Sequence, residues 1–128
     1  GVLCDASVPT YMLCYSALDR TVAEPMPLEF IVHKMTQNSA GTYGLHDRGV
    51  IAPGYQGDFN LIDFDALSLE PPEMVYDLPS NGKRLIQKAN GYLATIKAGE
   101  VTYENGESTG VMPGRLLRGG SIARGSYS

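Results

Sequence analysis

Residues 49–63 read GVIAPGYQGDFNLID, and this stretch decides which fold the chain can adopt. Pro53 fixes its own φ and Gly54 tolerates a positive φ, so the two residues suit the central positions of a type II turn. The apolar residues between positions 59 and 64 then predict a strand that is mostly buried on both faces. The chain is therefore expected to turn at Pro53-Gly54 and to continue as β-structure.

Residues upstream of this turn are typical of helices. Pro9 supplies a start signal, because proline fits the first turn of a helix. Pro27 opens a second helix in the same way, and apolar residues follow it at helical spacing, namely Leu28, Ile31, Val32 and Met35. The polar residues 36–39 are expected to end this helix and to start a third, short one that closes at Gly44.

Residues downstream of Asp47 are typical of strands. Apolar residues alternate there, and turn residues recur about every ten positions. The predicted strands are residues 59–64, 74–77, 83–87, 92–97 and 101–103. The predicted turns between the later strands are Asn90-Gly91, Ala98-Gly99 and Asn105-Gly106. Because helices come first and strands follow without βαβ alternation, the sequence predicts the α+β class.

The composition restricts the classes of function. The chain has 128 residues, enough for one domain, and its net charge of -4 argues against a nucleic-acid partner. No run of about 18 apolar residues is present, so no membrane partner is expected. No signal peptide is visible, which favours a cytoplasmic protein, and the absence of an initial methionine suits an internal fragment. Cys4 and Cys14 are expected to be free thiols, since one cysteine pair without a secretory signal does not indicate a disulfide framework.

Few side chains suggest chemistry by themselves. His33 is expected on a helix and His46 in a loop, and neither has the further ligands that a metal site needs. Asp58 and Asp63 lie at the two ends of a strand and point to opposite faces. We therefore expect Asp58 to form hydrogen bonds in a turn and Asp63 to have a role at the end of the strand. Four tyrosines are expected to pack across strands rather than to stack on a ligand, namely Tyr55, Tyr76, Tyr92 and Tyr103.

Four segments together resemble the C-terminal end of the N-acyl-D-amino-acid deacylases, or D-aminoacylases, of the amidohydrolase superfamily. They are residues 4–11, 27–49, 53–63 and 99–118. The last segment contains T-G-x-x-P-G-R at positions 109–115, which is the most family-specific part of the likeness. Gly57 departs from the wider superfamily, which usually has alanine before the aspartate.

The resemblance implies a fold made of two incomplete parts. Residues 1–47 would be a helical remnant of the end of a (β/α)8 catalytic barrel. Residues 48–118 would form the C-terminal part of a small composite β-sandwich of antiparallel strands, and residues 119–128 would form a flexible tail. Arg115 and Arg118 would anchor the C-terminus through salt bridges.

The resemblance also implies a function for a longer parent enzyme. Such enzymes use zinc to activate a water molecule, which attacks the amide of an N-acyl-D-amino acid and releases a carboxylate and a D-amino acid. Their metal ligands and general base would lie upstream of Gly1, so this chain is expected to hold no catalytic residue, metal or cofactor and to be inactive alone. Cys4, Asp5 and Ser7 would lie near the barrel mouth, close to the substrate. The alternative is that Asp5 or Ser7 caps the next helix.

The expected partners are the missing barrel and the missing sandwich strands of the parent enzyme. Without them the chain would expose strand edges and an apolar helix face, so we expect a homo-oligomer, most simply a dimer, in isolation. Two alternatives stay open. One is a complete, non-catalytic, β-rich binding or assembly module. The other is a fragment of a different amidohydrolase, such as a dihydroorotase or hydantoinase, and the T-G-x-x-P-G-R motif argues against it.

Overall fold

Helices precede strands in the computed structural model, which describes residues 7–16 and 26–117. The helical segments are, in chain order, α1 (Val8–Tyr11) with a following π-helical turn (Met12–Ser16), α2 (Leu28–His33) with a π-helical continuation (Lys34–Asn38), and α3 (Ser39–Thr42). Both predicted start signals are confirmed. Helix α1 carries proline in its first turn, and α2 begins directly after Pro27, whose ψ of 136° lies outside the helical region. Within the described ranges, none of the helices is long and apolar enough to cross a membrane.

The prediction that residues 36–39 break the second helix is wrong. The backbone keeps helical angles across both junctions, so α2 and α3 are parts of one continuous helix. The hydroxyl of Thr36 donates to the carbonyl of Val32 at 2.7 Å, and that of Ser39 donates to the carbonyl of Lys34 at 2.8 Å. Because these hydroxyls bond to their own helix, they do not cap a new one.

The strands form three antiparallel sheets within the described part of the chain. In chain order they are β1 (Phe59–Ile62), β2 (Ser68–Leu69), β3 (Glu73–Leu78), β4 (Gly82–Ile86), β5 (Ala89–Asn90), β6 (Tyr92–Lys97), β7 (Glu100–Glu104) and β8 (Glu107–Ser108). The largest sheet has the order β1-β6-β7-β8, while β2 pairs with β5 and β3 pairs with β4. Helices followed by antiparallel strands confirm the α+β class. The short β2–β5 ladder was not predicted, because two residues are too few to show a period.

The turns predicted at Pro53-Gly54, Ala98-Gly99 and Asn105-Gly106 are confirmed by their backbone angles. The turn predicted at Asn90-Gly91 is confirmed only at Gly91, which has a positive φ, because Asn90 pairs with Ser68 in the β2–β5 ladder. Gly54 has a φ of +85°, and the N–H of Tyr55 donates to the carbonyl of Ala52 at 3.1 Å, as a type II turn requires. Ala98-Gly99 and Asn105-Gly106 have positive φ at both positions. That geometry matches the right-handed twist of the strands that each pair joins.

The buried core lies between the helices and the loop that follows β1. Its buried members are Leu13, Cys14, Ile31 and Leu67. The thiol of Cys14 donates to the carbonyl of Leu67 at 3.4 Å and is free, as predicted. Cys4 lies outside the described residues. A second link joins the helices to the sheet, because the hydroxyls of Thr10 and Tyr92 are 2.8 Å apart.

The prediction that β1 is mostly buried is wrong. Phe59 is 38% exposed and Leu61 is 56% exposed, because no second layer of the described residues covers this edge of the sheet. Tyr92 packs against the core as predicted, whereas Tyr76 and Tyr103 are at least half exposed. The described residues therefore leave much apolar surface on the helices and strands in contact with solvent.

Candidate functional site

An apolar cleft separates the helices from the β1 edge of the sheet. Its volume is about 610 Å³, and its apolar lining includes Leu13, Val32, Met35, Ile51, Phe59 and Ile96. The cleft exists because α2 and the loop before the Pro-Gly turn stand over β1 and β6 without filling the space between them. Two charged residues, Asp58 and Lys97, also line it, and they are paired with each other. The cleft is suited to receive apolar side chains.

Asp58 is the centre of an ion-pair cluster beside this cleft. Its Oδ2 atom accepts hydrogen bonds from Nη1 of Arg48 at 2.7 Å and from Nζ of Lys97 at 2.6 Å. Its Oδ1 atom accepts the backbone N–H of Ala98 at 2.9 Å. The cluster therefore joins the loop after the helices, the start of β1 and the turn between β6 and β7.

The environment of Asp58 favours the ionised carboxylate. Partial burial raises the pKa of Asp58, but the hydrogen bonds from Lys97, the N–H of Ala98 and Arg48 outweigh it. The pKa of Asp58 is consequently lower than its ordinary value. A carboxylate held by two cations and a backbone N–H is a poor proton acceptor, so the arrangement is typical of a structural link and not of a general base.

A polar cleft of about 630 Å³ shares Arg48 and Lys97 with this cluster. Its lining also includes the basic residue Arg115 and the acidic residue Glu100. The side chain of Arg48 is largely buried, and its Nε lies 3.5 Å from Asp47 but has no hydrogen-bond partner. Among the described residues Arg115 forms no ion pair, so the expected anchoring salt bridge is not present there. Arg118 lies outside those residues.

The residues predicted near a barrel mouth are only partly described. Cys4 and Asp5 lie outside the described ranges. Ser7 is buried, occupies the N-cap position of α1 and makes no side-chain capping bond, while its carbonyl accepts the N–H of Tyr11 at 2.8 Å. Its closeness to a substrate stays a prediction, and a side-chain cap at this position is not observed.

Neither histidine contributes to a metal site in the described part of the chain. His33 and His46 are both exposed, and no group of three or more His, Cys, Asp or Glu side chains there could hold a metal ion. Asp63 accepts the N–H of Ala66 at 3.3 Å, which confirms its expected role at the end of β1. The described residues thus bring together a structural ion-pair cluster and two clefts.

Sequence reasoning did not find the partners of Asp58. It assigned Asp58 to a turn, and the N–H of Ala98 does belong to a turn, but Arg48 and Lys97 were not connected with it. Ten positions separate Asp58 from Arg48 and 39 separate it from Lys97. The available signal was the position of Lys97 at the end of a strand that precedes a tight turn.

Comparison with known proteins identifies the family of the chain. Residues 11–103 match the sequence profile of the amidohydrolase family. An allantoinase from Deinococcus radiodurans is 34% identical over 99 residues, which cover 76% of this chain and 21% of that protein. The chain thus spans about a fifth of the length of the curated relative that it matches. No solved structure matches it significantly. Since the profile match extends over well more than half of the residues, the chain belongs to the amidohydrolase family.

Proposed function

We propose that this chain is the C-terminal part of a zinc-dependent amidohydrolase that converts N-acyl-D-amino acids into D-amino acids and carboxylates. The observation that carries this proposal is the family match over residues 11–103 in a chain that spans 21% of a matched relative. The T-G-x-x-P-G-R motif at positions 109–115 favours the D-aminoacylase type within that family.

The described residues do not fit a zinc site, because they offer no group of three metal-ligating side chains. We therefore place the zinc and the reacting groups elsewhere in the parent enzyme. Zinc would supply an activated water there. The role proposed for the present residues is to support that site and not to take part in the reaction.

The exposed apolar surface supports this division. Val32 on the second helix, Ile51 before the turn and Leu61 on β1 are all exposed, and the apolar cleft lies close to them. We propose that residues 1–47 complete a catalytic barrel, that residues 48–118 complete a β-sandwich, and that the rest of the parent enzyme covers these side chains.

The Asp58 cluster has a defined role in this proposal. Arg48 follows the helical part of the chain, whereas Lys97 and Ala98 belong to the sheet and its turn. Asp58 therefore links the segment that follows the proposed barrel part to the sheet, and all four residues lie within the proposed sandwich part. It is a positioning residue, since its oxygens are occupied by these three partners.

A second candidate is the hydrolysis of a cyclic amide. It is favoured by one observation, the 34% identity to a protein named allantoinase. In this alternative the fold and the supporting role of the chain are unchanged, and only the substrate of the parent enzyme differs.

The experiment is an assay of the purified parent enzyme that contains this chain. N-acetyl-D-leucine and N-acetyl-L-leucine form a matched pair of substrates, and allantoin represents the cyclic amides. We expect turnover of the D-substrate alone. Turnover of allantoin alone would select the second candidate, and turnover of none of the three would contradict both. The Asp58→Asn variant of the parent enzyme is a control for the positioning role. Its melting temperature should fall while its kcat stays close to that of the unmodified enzyme.

A further inference from the structure

A long two-stranded hairpin, here called the arm, has a surface that takes no part in the proposed function. The arm consists of residues 68–90 and contains the β2–β5 and β3–β4 ladders. At its base the N–H of Glu70 donates to the carbonyl of Lys88 at 2.9 Å, and the amide of Gln87 donates to the carbonyl of Glu70 at 3.0 Å. The two strands of the outer part pair only with each other among the described residues. Two isolated strands are marginally stable in water, so such an arm needs a partner.

One face of the outer arm is apolar and open to solvent. Met74 stands opposite Leu85 in the β3–β4 register, which becomes irregular between Val75 and Leu78. Asp77 pairs with Arg84, which stands opposite Val75, so these polar side chains occupy the other face and Tyr76 shares the face of Met74. These side chains and Leu78 are 44–59% exposed. Together they present on the order of 350 Å² of apolar surface, which is as large as the largest apolar patch of a typical soluble monomer.

The charges of the arm favour a second copy of the chain as the partner. The arm contains three acidic and three basic residues, so its net charge is zero, while the whole chain carries -4. Asp77 pairs with Arg84 and Glu73 pairs with Lys88, which satisfies these charges within the arm. Two chains therefore repel one another through their acidic bodies but not through their arms. A strongly charged partner would also find no field of opposite sign on this surface.

We infer that two copies of the chain associate through the apolar faces of their arms, with Tyr76 near the centre of the contact. A twofold interface places the same patch of both copies in contact, and this face brings no like charges together there. The patch alone falls short of the roughly 800 Å² that each partner contributes to a stable interface. The dimer is therefore weak and depends on protein concentration.

The test is sedimentation velocity on the 128-residue chain between roughly 5 and 500 µM, a range that brackets the dissociation constants of interfaces below the standard size. We expect a monomer–dimer equilibrium that Tyr76→Ser weakens by about tenfold or more, as for a central aromatic anchor. Tyr43→Ser is the matched control, because Tyr43 is 79% exposed and lies outside the arm. Ile51→Ser is the control for the apolar cleft. Neither control should change the dissociation constant.

Two results would overturn the inference: a monomer over the whole concentration range, or a dimer that Ile51→Ser disrupts and Tyr76→Ser leaves intact. Hydrogen exchange on the unmodified chain gives an answer that does not depend on how the variants fold. Exchange of residues 73–86 should slow as the fraction of dimer rises. Equal exchange at low and high dimer fractions would place the contact elsewhere.

Discussion

Replacing Gly91 by alanine tests a close backbone contact between the residue before β6 and the loop that follows β1. Gly91 has a φ of +95°, and a Cβ atom there would lie 2.8 Å from the Cα of Leu67 and 2.9 Å from the carbonyl oxygen of Asp63. Neither neighbour can retreat easily, because Leu67 is buried in the core and the N–H of Asp63 donates to the carbonyl of Gly91 at 2.8 Å. The substitution therefore adds a steric overlap to an unfavourable backbone angle.

The expected loss of stability follows from these two costs. A positive φ costs alanine about 1–2 kcal/mol, and overpacking typically costs about 1–3 kcal/mol. We expect Gly91→Ala to lower the free energy of unfolding by about 3 kcal/mol in total. Gly54→Ala is the matched control, since Gly54 has a φ of +85° but has nothing within 4 Å of the added Cβ. It should lose only about 1 kcal/mol.

Urea unfolding followed by circular dichroism measures the difference. With a denaturant slope of about 1–3 kcal/mol per molar, Gly91→Ala should unfold roughly 1 M earlier than Gly54→Ala. Equal midpoints for the two variants would refute the reasoning, because they would show that the close approach to Leu67 does not exist in solution.

Three further outcomes follow from the contacts described above. Asp58→Asn should destabilise the chain by about 2 kcal/mol at pH 7, because Arg48 and Lys97 lose a charged acceptor. Folding lowers the pKa of Asp58, so its contribution to the free energy of unfolding is complete at neutral pH and is lost as the pH falls below about 4. The urea midpoints of the variant and the unmodified chain should therefore converge in acid. Tyr92→Phe should cost about 1–2 kcal/mol by leaving the buried hydroxyl of Thr10 without its partner, and a double-mutant cycle with Thr10→Val should show positive coupling between the two sites. Cys14 should react with iodoacetamide only when the chain unfolds, because burial covers the thiol and raises its pKa; peptide mapping that finds rapid labelling of Cys14 in the folded chain would contradict this.

Local signals in the sequence were sufficient to predict the turns and several strands. Strand β6 has the predicted bounds, Tyr92–Lys97, and Ala98-Gly99 and Asn105-Gly106 form the expected turns with positive φ. These elements depend on the backbone preferences of two or three neighbouring residues. Such preferences act without long-range contacts, so they are visible in the sequence.

Burial could not be predicted in the same way. The apolar run at 59–64 is typical of a strand buried on both faces, but Phe59 and Leu61 are exposed because burial depends on what packs over a strand. The helix break expected at 36–39 failed for a related reason. The hydroxyls of Thr36 and Ser39 can either accept an N–H at the start of a new helix or donate to a carbonyl of their own helix, and composition does not distinguish the two.

The ion-pair cluster was the least predictable feature of the candidate site. Asp58 was recognised as a turn acceptor from its position before a strand. Its link to Lys97 depends on the β1–β6 pairing, which places Phe59 opposite Ile96. Without that register, nothing in the sequence connects a carboxylate at position 58 with an amine 39 residues away.

The central claim is that these residues support the chemistry of an amidohydrolase without performing it. The most direct measurement is the zinc content of the purified 128-residue chain after dialysis against zinc and then against metal-free buffer, by elemental mass spectrometry. We predict a zinc content far below one ion per chain and no hydrolysis of N-acetyl-D-leucine by the same sample. One tightly held zinc ion per chain, with hydrolysis, would contradict the claim.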